Sequence, residues 1–414
     1  MLKRITKDQL RLGMYIHALC GSWMEHPFWR LKFVLTDAAD LQRIHRSGIA
    51  ELWIDTERGL DVAGGLSDQD VAVQVERELA QALSSELPVE APSALAMPDN
   101  AYAEAVQLRD KALRRMQSLF SEVRMGRSIH VEGCVSTVED IIGSVGRHPG
   151  ALISLLRLKT QDEYTYLHSV AVCTLLVALA RTLGLAAEVV REVGVAGLLH
   201  DIGKARIPLV VLNKPAKLSD EEFALIKRHP EFGHALLTEN AAASKLALDV
   251  CLHHHEKVDG SGYPHGLKLA QISLYAKMGA VCDVYDAVTS CRPYKDAWEP
   301  GEAVRQMAQW KGHFDPAVFQ AFVKTVGIYP SGTLVRLKSQ RLGVVLDQGG
   351  TTLLTPRVKV FHCAAKRQRL PHQVVDLSEP GCDDAIAGVE SAAAWGFKHL
   401  NQLWLEAAGV PLPS

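Results

Sequence analysis

A surplus of charge, a disulfide spacing and a long apolar run are what this sequence lacks, and each absence removes a class of protein. Lys and Arg total 45 against 47 Asp and Glu, for a formal net charge of −2. A dedicated nucleic-acid binder carries a strongly basic face, so that class is excluded, although a local basic pocket for a small anion is compatible with the balance. The cysteines, Cys20, Cys134, Cys173, Cys251, Cys282, Cys291, Cys363 and Cys382, are scattered without a C-x-x-C pair. That distribution fits reduced thiols packed as small core residues, not a disulfide framework. No segment reads as the ~18 to 20 consecutive apolar residues of a membrane helix, and the opening MLKRITKDQLRLGMYIHAL has no signal-peptide stretch. The expectation is a cytoplasmic protein with neither nucleic acid nor membrane as partner.

What is present is a chain of 414 residues, more than one hydrophobic core usually serves, so a multidomain α+β protein is expected. Residues 1–65 mix strand-like runs (GMYIHAL, RLKFVLT, IAELWID) with a helix-like piece from Ala38 to Ser47 and predict a small α+β domain. His26 there has no partner nearby in sequence and reads as a packed histidine. Residues 66–100 turn rich in Ser, Ala, Glu and Pro and read as a linker. A connecting helix is predicted within 101–130, where apolar residues recur at helical spacing. Residues 131–330 read as an all-α domain of helices and short loops, with SDEE at Ser219 supplying a capping box. Residues 331–414 carry alternating β-branched runs and predict β-hairpins, followed by a helix from about Gly388 to Ala408.

Chemistry concentrates in the helical part. His168, the pair His200-Asp201, His229, the pair His254-His255 and Asp283 are strong metal ligands, several of them placed where an apolar helix face is expected. In VVREVGVAGLLHD, Val190, Val193, Gly197 and His200 share one face, so the imidazole points inward. Asp283 is in register with Ala276, Ala280 and Ala287, and a buried carboxylate needs a partner or a metal. Any one of these residues alone is more simply a satisfied core group. Together, neutral imidazoles and carboxylates without thiolate spacing suit two adjacent divalent ions such as iron or manganese. Asp201 has two oxygens with which to bridge them. Asp286, three residues after Asp283, is placed to orient a ligand histidine or a water, or is a core-capping or solvated aspartate.

HDIGKARIP at His200 to Pro208, HHEKVDGSGYP at His254 to Pro264 and DVYDAVTSCRPY at Asp283 to Tyr294 closely resemble the HD-GYP subgroup of HD-domain phosphohydrolases, over about residues 145–330. Residues 1–65 resemble an N-terminal domain of unassigned function often fused to it. The resemblance implies a phosphodiesterase that opens the bacterial second messenger cyclic di-GMP to pGpG; cutting the second linkage as well would give GMP. It makes the seven residues above the metal ligands, with His200 and Asp201 at the catalytic centre. Lys204 then contacts substrate phosphate, and Arg292 and Lys295 hold the phosphates of the dinucleotide. Gly262, Tyr263 and Pro264 shape the wall of the site; as a plain reading they also make a tight turn. Diguanylate cyclases and other signalling proteins are the partners implied.

One departure bears on the metal count. Members with three metals have a glutamate four residues before the first histidine, and Tyr164 stands there; Glu163 is rotated by about 100°. Two ions are therefore expected. The rival readings are an HD phosphohydrolase acting on another nucleotide or cyclic dinucleotide, and a catalytically silent module that binds cyclic di-GMP or protein partners.

Overall fold

The structure, a computed structural model, describes residues 1–20, 32–47, 49–67, 101–160, 162–214, 218–239, 243–290, 297–348, 353–397 and 400–407, with a few positions between 70 and 77. His26, Arg292 and Lys295 lie outside the described residues. The chain divides into two compact units, Met1–Ser85 with Arg305–His313, and Glu86–Val304 with Phe314–Ser414.

The first unit holds strands β1 (Leu2–Thr6), β2 (Tyr15–Cys20) and β3 (Phe33–Val34), helix α1 (Ala38–Arg46), and strands β4 (Glu51–Asp55) and β5 (Leu66–Ser67). The sheet runs in the order β3-β2-β4-β1-β5. Its antiparallel register, Ile5 opposite Leu52 and Ile16 opposite Ile54, sends these apolar side chains into one core with Leu35, Ile44 and Ile49. Asp37 begins α1 by accepting from the Ala39 amide at 2.8 Å. Strand β5 falls in the stretch read as linker; two residues carry too little periodicity to betray a strand, and pairing with β1 makes one of them.

The second unit begins with a helical array: α2 (Ala101–Arg124), α3 (Val131–Arg147), α4 (Pro149–Leu156), α5 (Tyr164–Thr182) and α6 (Ala187–Leu199). A 3₁₀ turn over Ile202–Arg206 leads to α7 (Leu209–Leu212), α8 (Asp220–Ile226), α9 (His229–Glu239), α10 (Lys245–His253) and α11 (Leu274–Thr289). The Ser219–Glu222 capping box forms at the start of α8, each residue's side chain meeting the other's backbone amide. Helices α5 and α11 are buried on nearly every side. By length and apolar composition α5 also passes for a membrane span, against the sequence reading; His168, Ser169 and Thr174 interrupt the run, which stays apolar on average. In the fold that segment is the central core helix, with 78% of its most apolar window buried.

Helices α12 (Pro300–Ala308) and α13 (Pro316–Val326) are followed by strands β6 (Leu334–Leu337), β7 (Arg341–Asp347), β8 (Arg357–Cys363), β9 (Gln368–Asp376) and β10 (Ile386–Val389). These make an antiparallel sheet in the order β10-β6-β7-β8-β9. Helices α14 (Ala392–Trp395) and α15 (Leu400–Ala407) complete the described chain. The hairpins expected from sequence are thus joined into one sheet, and the expected single terminal helix is replaced by a strand and two helices. Val389 opposes Val335 across the ladder, so long-range pairing claims Ile386–Val389 for the sheet, while the Ala-rich stretch that follows is helical until Gly396, in the left-handed region, ends it.

Candidate metal centre

Five helices supply the cluster, Asp283 coming from α11. His168 comes from the second turn of α5, His200 caps the C-terminal end of α6, His229 opens α9, and His254 caps α10. His168, His200, Asp201, His229, His254 and Asp283 are all buried. Their ligand atoms fall into overlapping triads, each within 4.8 Å: His168, His200 and Asp283; His229, His254 and His255; and His200, Asp201 and His254.

Asp201 joins the two ends. Its Oδ2 lies 3.4 Å from Nε2 of both His168 and His200, while its Oδ1 lies 3.2 Å from Nε2 of His229 and 3.9 Å from Nε2 of His254. Asp283 sits at the other side, with Oδ1 2.9 Å from His168 Nε2 and Oδ2 3.6 Å from His255 Nδ1.

The orientation of three rings is settled by the backbone. Nδ1 of His200 faces the Gly197 carbonyl at 2.8 Å, Nδ1 of His229 the Ile226 carbonyl at 2.7 Å, and Nδ1 of His254 the carbonyls of Val250 and Cys251 at 3.1 and 3.0 Å. A carbonyl accepts only, so Nδ1 carries the proton and, in the neutral ring, Nε2 presents a lone pair to the interior. His168 is held differently: its Nδ1 meets Oδ2 of Asp286 at 2.7 Å, and both carboxylate oxygens of Asp286 accept from the Lys159 ammonium, at 2.7 and 2.6 Å.

A cation fits this donor set. His200 Nε2 and Asp201 Oδ1 are buried with no hydrogen-bond partner, and such orphaned groups cost about 1–3 kcal/mol each. His229 Nε2 and His254 Nε2 face each other at 3.3 Å, two lone pairs in contact unless a proton or an ion stands between them. The Cys251 thiol, beside the cluster, donates instead to the His200 carbonyl at 3.3 Å. The donors are therefore nitrogen and oxygen, which suits divalent transition ions outside the thiolate class.

Burial opposes every charge here, and the contacts decide which charges survive. The Lys204 and His200 charges outweigh burial at Asp201 and hold its carboxyl well below the usual range. Asp283 is held low against burial by His168, His200 and His255. His200 is pushed up to about 10, because the Asp201 and Asp283 charges beside it overcome burial. Burial and the neighbouring rings drive His254 down to about 3 and His255 well below its ordinary value, while His229 is lowered chiefly by burial. The neutral rings are ready ligands, and His200 must shed a proton before it can be one.

Around the cluster, the 3₁₀ turn after Asp201 presses on α9: a Cβ at Gly203 would lie 1.9 Å from the His229 carbonyl oxygen, so only glycine fits. Lys204 folds back to donate to Asp201 Oδ2 and keeps 22% of its side chain exposed. Arg124, the last residue of α2, donates to the carbonyls of Ile207 and Lys204. The Gly262-Tyr263-Pro264 loop closes over His255. The Tyr263 ring stacks on the imidazole at 4.7 Å, its amide donates to the His255 carbonyl, and a Cβ at Gly262 would strike the Lys257 nitrogen at 2.4 Å. Pro264 follows Tyr263 through a cis peptide bond. Buried Glu256 ties the loop down by accepting from the amides of His265 and Leu267. Tyr164 lies flat against His168, ring centroids 5.6 Å apart.

The structure thus brings together the seven candidate ligands, Lys204, Asp286 and the Gly-Tyr-Pro loop. Lys159 and Glu256 were not anticipated. Both adjoin polar residues, in KTQDEY and HHEK, where a charged side chain reads as solvated, and only the tertiary structure buries them.

Paired carboxylate and imidazole triads on a helical core define an HD-type metal-dependent phosphohydrolase. An HD domain family model matches residues 149–318, and the model for a domain of unknown function (DUF3391) matches residues 2–134. The chain is 53% identical to the cyclic di-GMP phosphodiesterase PA4108 of Pseudomonas aeruginosa, covering 98% of this chain and 96% of that one. It is 45% identical to the cyclic di-GMP phosphodiesterase response regulator RpfG of Xanthomonas campestris, over 35% of this chain and 39% of that protein. It is also similar to the 3′3′-cGAMP-specific phosphodiesterase 1 of Vibrio cholerae, at 35% identity over 40% of this chain and 38% of the relative. The chain belongs to the HD-GYP family of cyclic dinucleotide phosphodiesterases.

Proposed function

We propose that the chain hydrolyses a 3′,5′ phosphodiester bond of cyclic di-GMP, releasing pGpG, at a centre of two divalent ions, iron or manganese. The observation that carries this reading is the division of Asp201, one oxygen toward the His168–His200 end and the other toward the His229–His254 end. His168, His200 and Asp283 would hold one ion, His229, His254 and His255 the other, and Asp201 both. Bound ions supply Lewis acidity and lower the pKa of water at neutral pH.

The chain's own groups do the rest. Lys204, partly exposed beside Asp201, places positive charge where phosphoryl oxygens gain negative charge. Tyr263 and Glu256 fix the loop that walls the site over His255. Arg292 and Lys295, a few residues along the chain from α11, are assigned by the resemblance to the phosphates of the dinucleotide. Tyr164 contributes an aromatic ring where a third ion would need a carboxylate. The free thiols among the described residues support a cytoplasmic setting, where diguanylate cyclases make the substrate and are the partners expected.

The test is turnover by purified protein supplied with Mn²⁺, or with Fe²⁺ anaerobically, with cyclic di-GMP and 3′3′-cGAMP compared side by side. We expect pGpG to form from cyclic di-GMP, about two ions per chain, and a fall of about 10³-fold or more in His200→Ala and Asp201→Ala. Activity surviving in both variants sinks the site assignment. Tight binding of the intact dinucleotide without turnover in any metal identifies a silent module.

A further inference from the structure

Behind His168 stands a buried ion pair that the reaction does not obviously require. Lys159 precedes α5, its side chain sealed from solvent, and its ammonium meets both oxygens of Asp286 at 2.6 and 2.7 Å across 127 residues of sequence. Burying a lysine and an aspartate costs several kcal/mol per ion, and a well-packed apolar pair of like volume commonly stabilises a fold as well or better. A pair of this kind is therefore weak as a stabilising device. Its position is informative: Asp286 Oδ2 is also the acceptor for Nδ1 of His168, at 2.7 Å.

We propose that Lys159 is a positioning residue of the metal centre, clamping Asp286 so that His168 keeps its Nε2 aimed at the ions. A carboxylate held by a single contact can rotate about χ2, and a ring hydrogen-bonded to it swings with it. Held at both oxygens, Asp286 cannot rotate, and its acceptor lies at a fixed point. Among the described residues, Ser290 Oγ, at 3.4 Å, also donates to the carboxylate, and weakly. The Tyr164 ring completes the clamp: it lies flat against His168, with the Lys159 ammonium 5.8 Å from its centroid. Lys159, Asp286 and Tyr164 thus fix the ring from its edge and its face. The other ring nitrogen then lies 2.9 Å from Asp283 Oδ1 and 3.4 Å from Asp201 Oδ2. His200, His229 and His254, by contrast, hang from backbone carbonyls.

This inference rests on the two-ion reading above, and its test separates the two. Apo-protein is titrated with Mn²⁺, following stoichiometry by calorimetry and exchange coupling between ions by EPR. If the wild type takes up no second ion, the two-ion reading fails before any variant is compared. In Lys159→Met we expect the affinity for one ion to fall about 10–100-fold, the range found when partners of metal-bound histidines are removed. The coupled Mn–Mn signal should give way to that of a single ion at concentrations that saturate wild type. Lys159→Arg, which keeps a charge able to grip both oxygens, should restore most of the coupling. If Lys159→Met does not fold, Lys159→Met/Asp286→Asn removes both buried charges together, and the same loss at one ion is expected. A folded variant, single or double, that binds both ions with wild-type affinity and coupling overturns the proposal, even if its melting temperature has dropped.

Discussion

The two ends of the metal cluster are built on different principles. At the His229–His254 end, and at His200, each ring is fixed by a main-chain carbonyl three or four residues back, inside its own helix for His200 and His254 and at the end of the preceding helix α8 for His229. At the His168 end the ring is fixed by Asp286, which is fixed in turn by Lys159, from a segment outside the helix. A backbone-anchored ligand survives any change that leaves its helix intact. A ligand anchored by side chains depends on residues remote in sequence and can be lost one contact at a time.

The harshest way to break the comparison is at Gly203, which sets the distance between the two ends. Gly203→Ala places a methyl 1.9 Å from the His229 carbonyl oxygen. It should cost about 2–3 kcal/mol of stability and lower uptake of both ions together; a variant with wild-type melting temperature and metal content contradicts that. Asp286→Asn sharpens the contrast. It should weaken one ion about 10–100-fold while leaving the other within about threefold, and equal weakening of both would mean that the two ends are not separately anchored.

A third check uses protons. In the metal-free site His200 is pushed up to about 10 while His254 is driven down to about 3. At neutral pH, then, His200 must lose a proton to bind an ion and His254 need not. Apparent metal affinity should rise with pH until about 10, weakening about tenfold for each unit below that; competition titrations between pH 6.5 and 8.5 read the slope, and a flat profile counts against protonated His200. The smallest effect is expected at the loop. Tyr263→Phe keeps the ring stacked on His255 and should change turnover by less than about threefold, whereas Tyr263→Ala loses a stack worth about 0.5–1.5 kcal/mol.

How much of this could be read from the chain follows the same division. His200, Asp201, His254, His255 and Asp283 were legible because HD, HH and the inward faces of α6 and α11 are local patterns, the last two with helical period. The capping box at Ser219 was legible for the same reason. Asp286 could be suspected from its spacing to Asp283. Lys159 could not, because its partner is 127 residues away and nothing nearby distinguishes it from a solvated lysine. Glu256 was obscured likewise by its polar neighbours. The C-terminal sheet shows the equivalent limit for the fold. Alternating residues announced strands, but the pairing of β10 with β6 depends on a register that no local pattern carries.

The carbonyl-tethered imidazoles have a kinetic consequence. A ring whose Nδ1 is already committed to the main chain has little reason to turn over when an ion departs, so the emptied site and the filled one differ little in side-chain entropy. Rebinding at those positions then requires no search among rotamers. Its rate is left to the stripping of water from the incoming ion and to the departure of the single proton on His200.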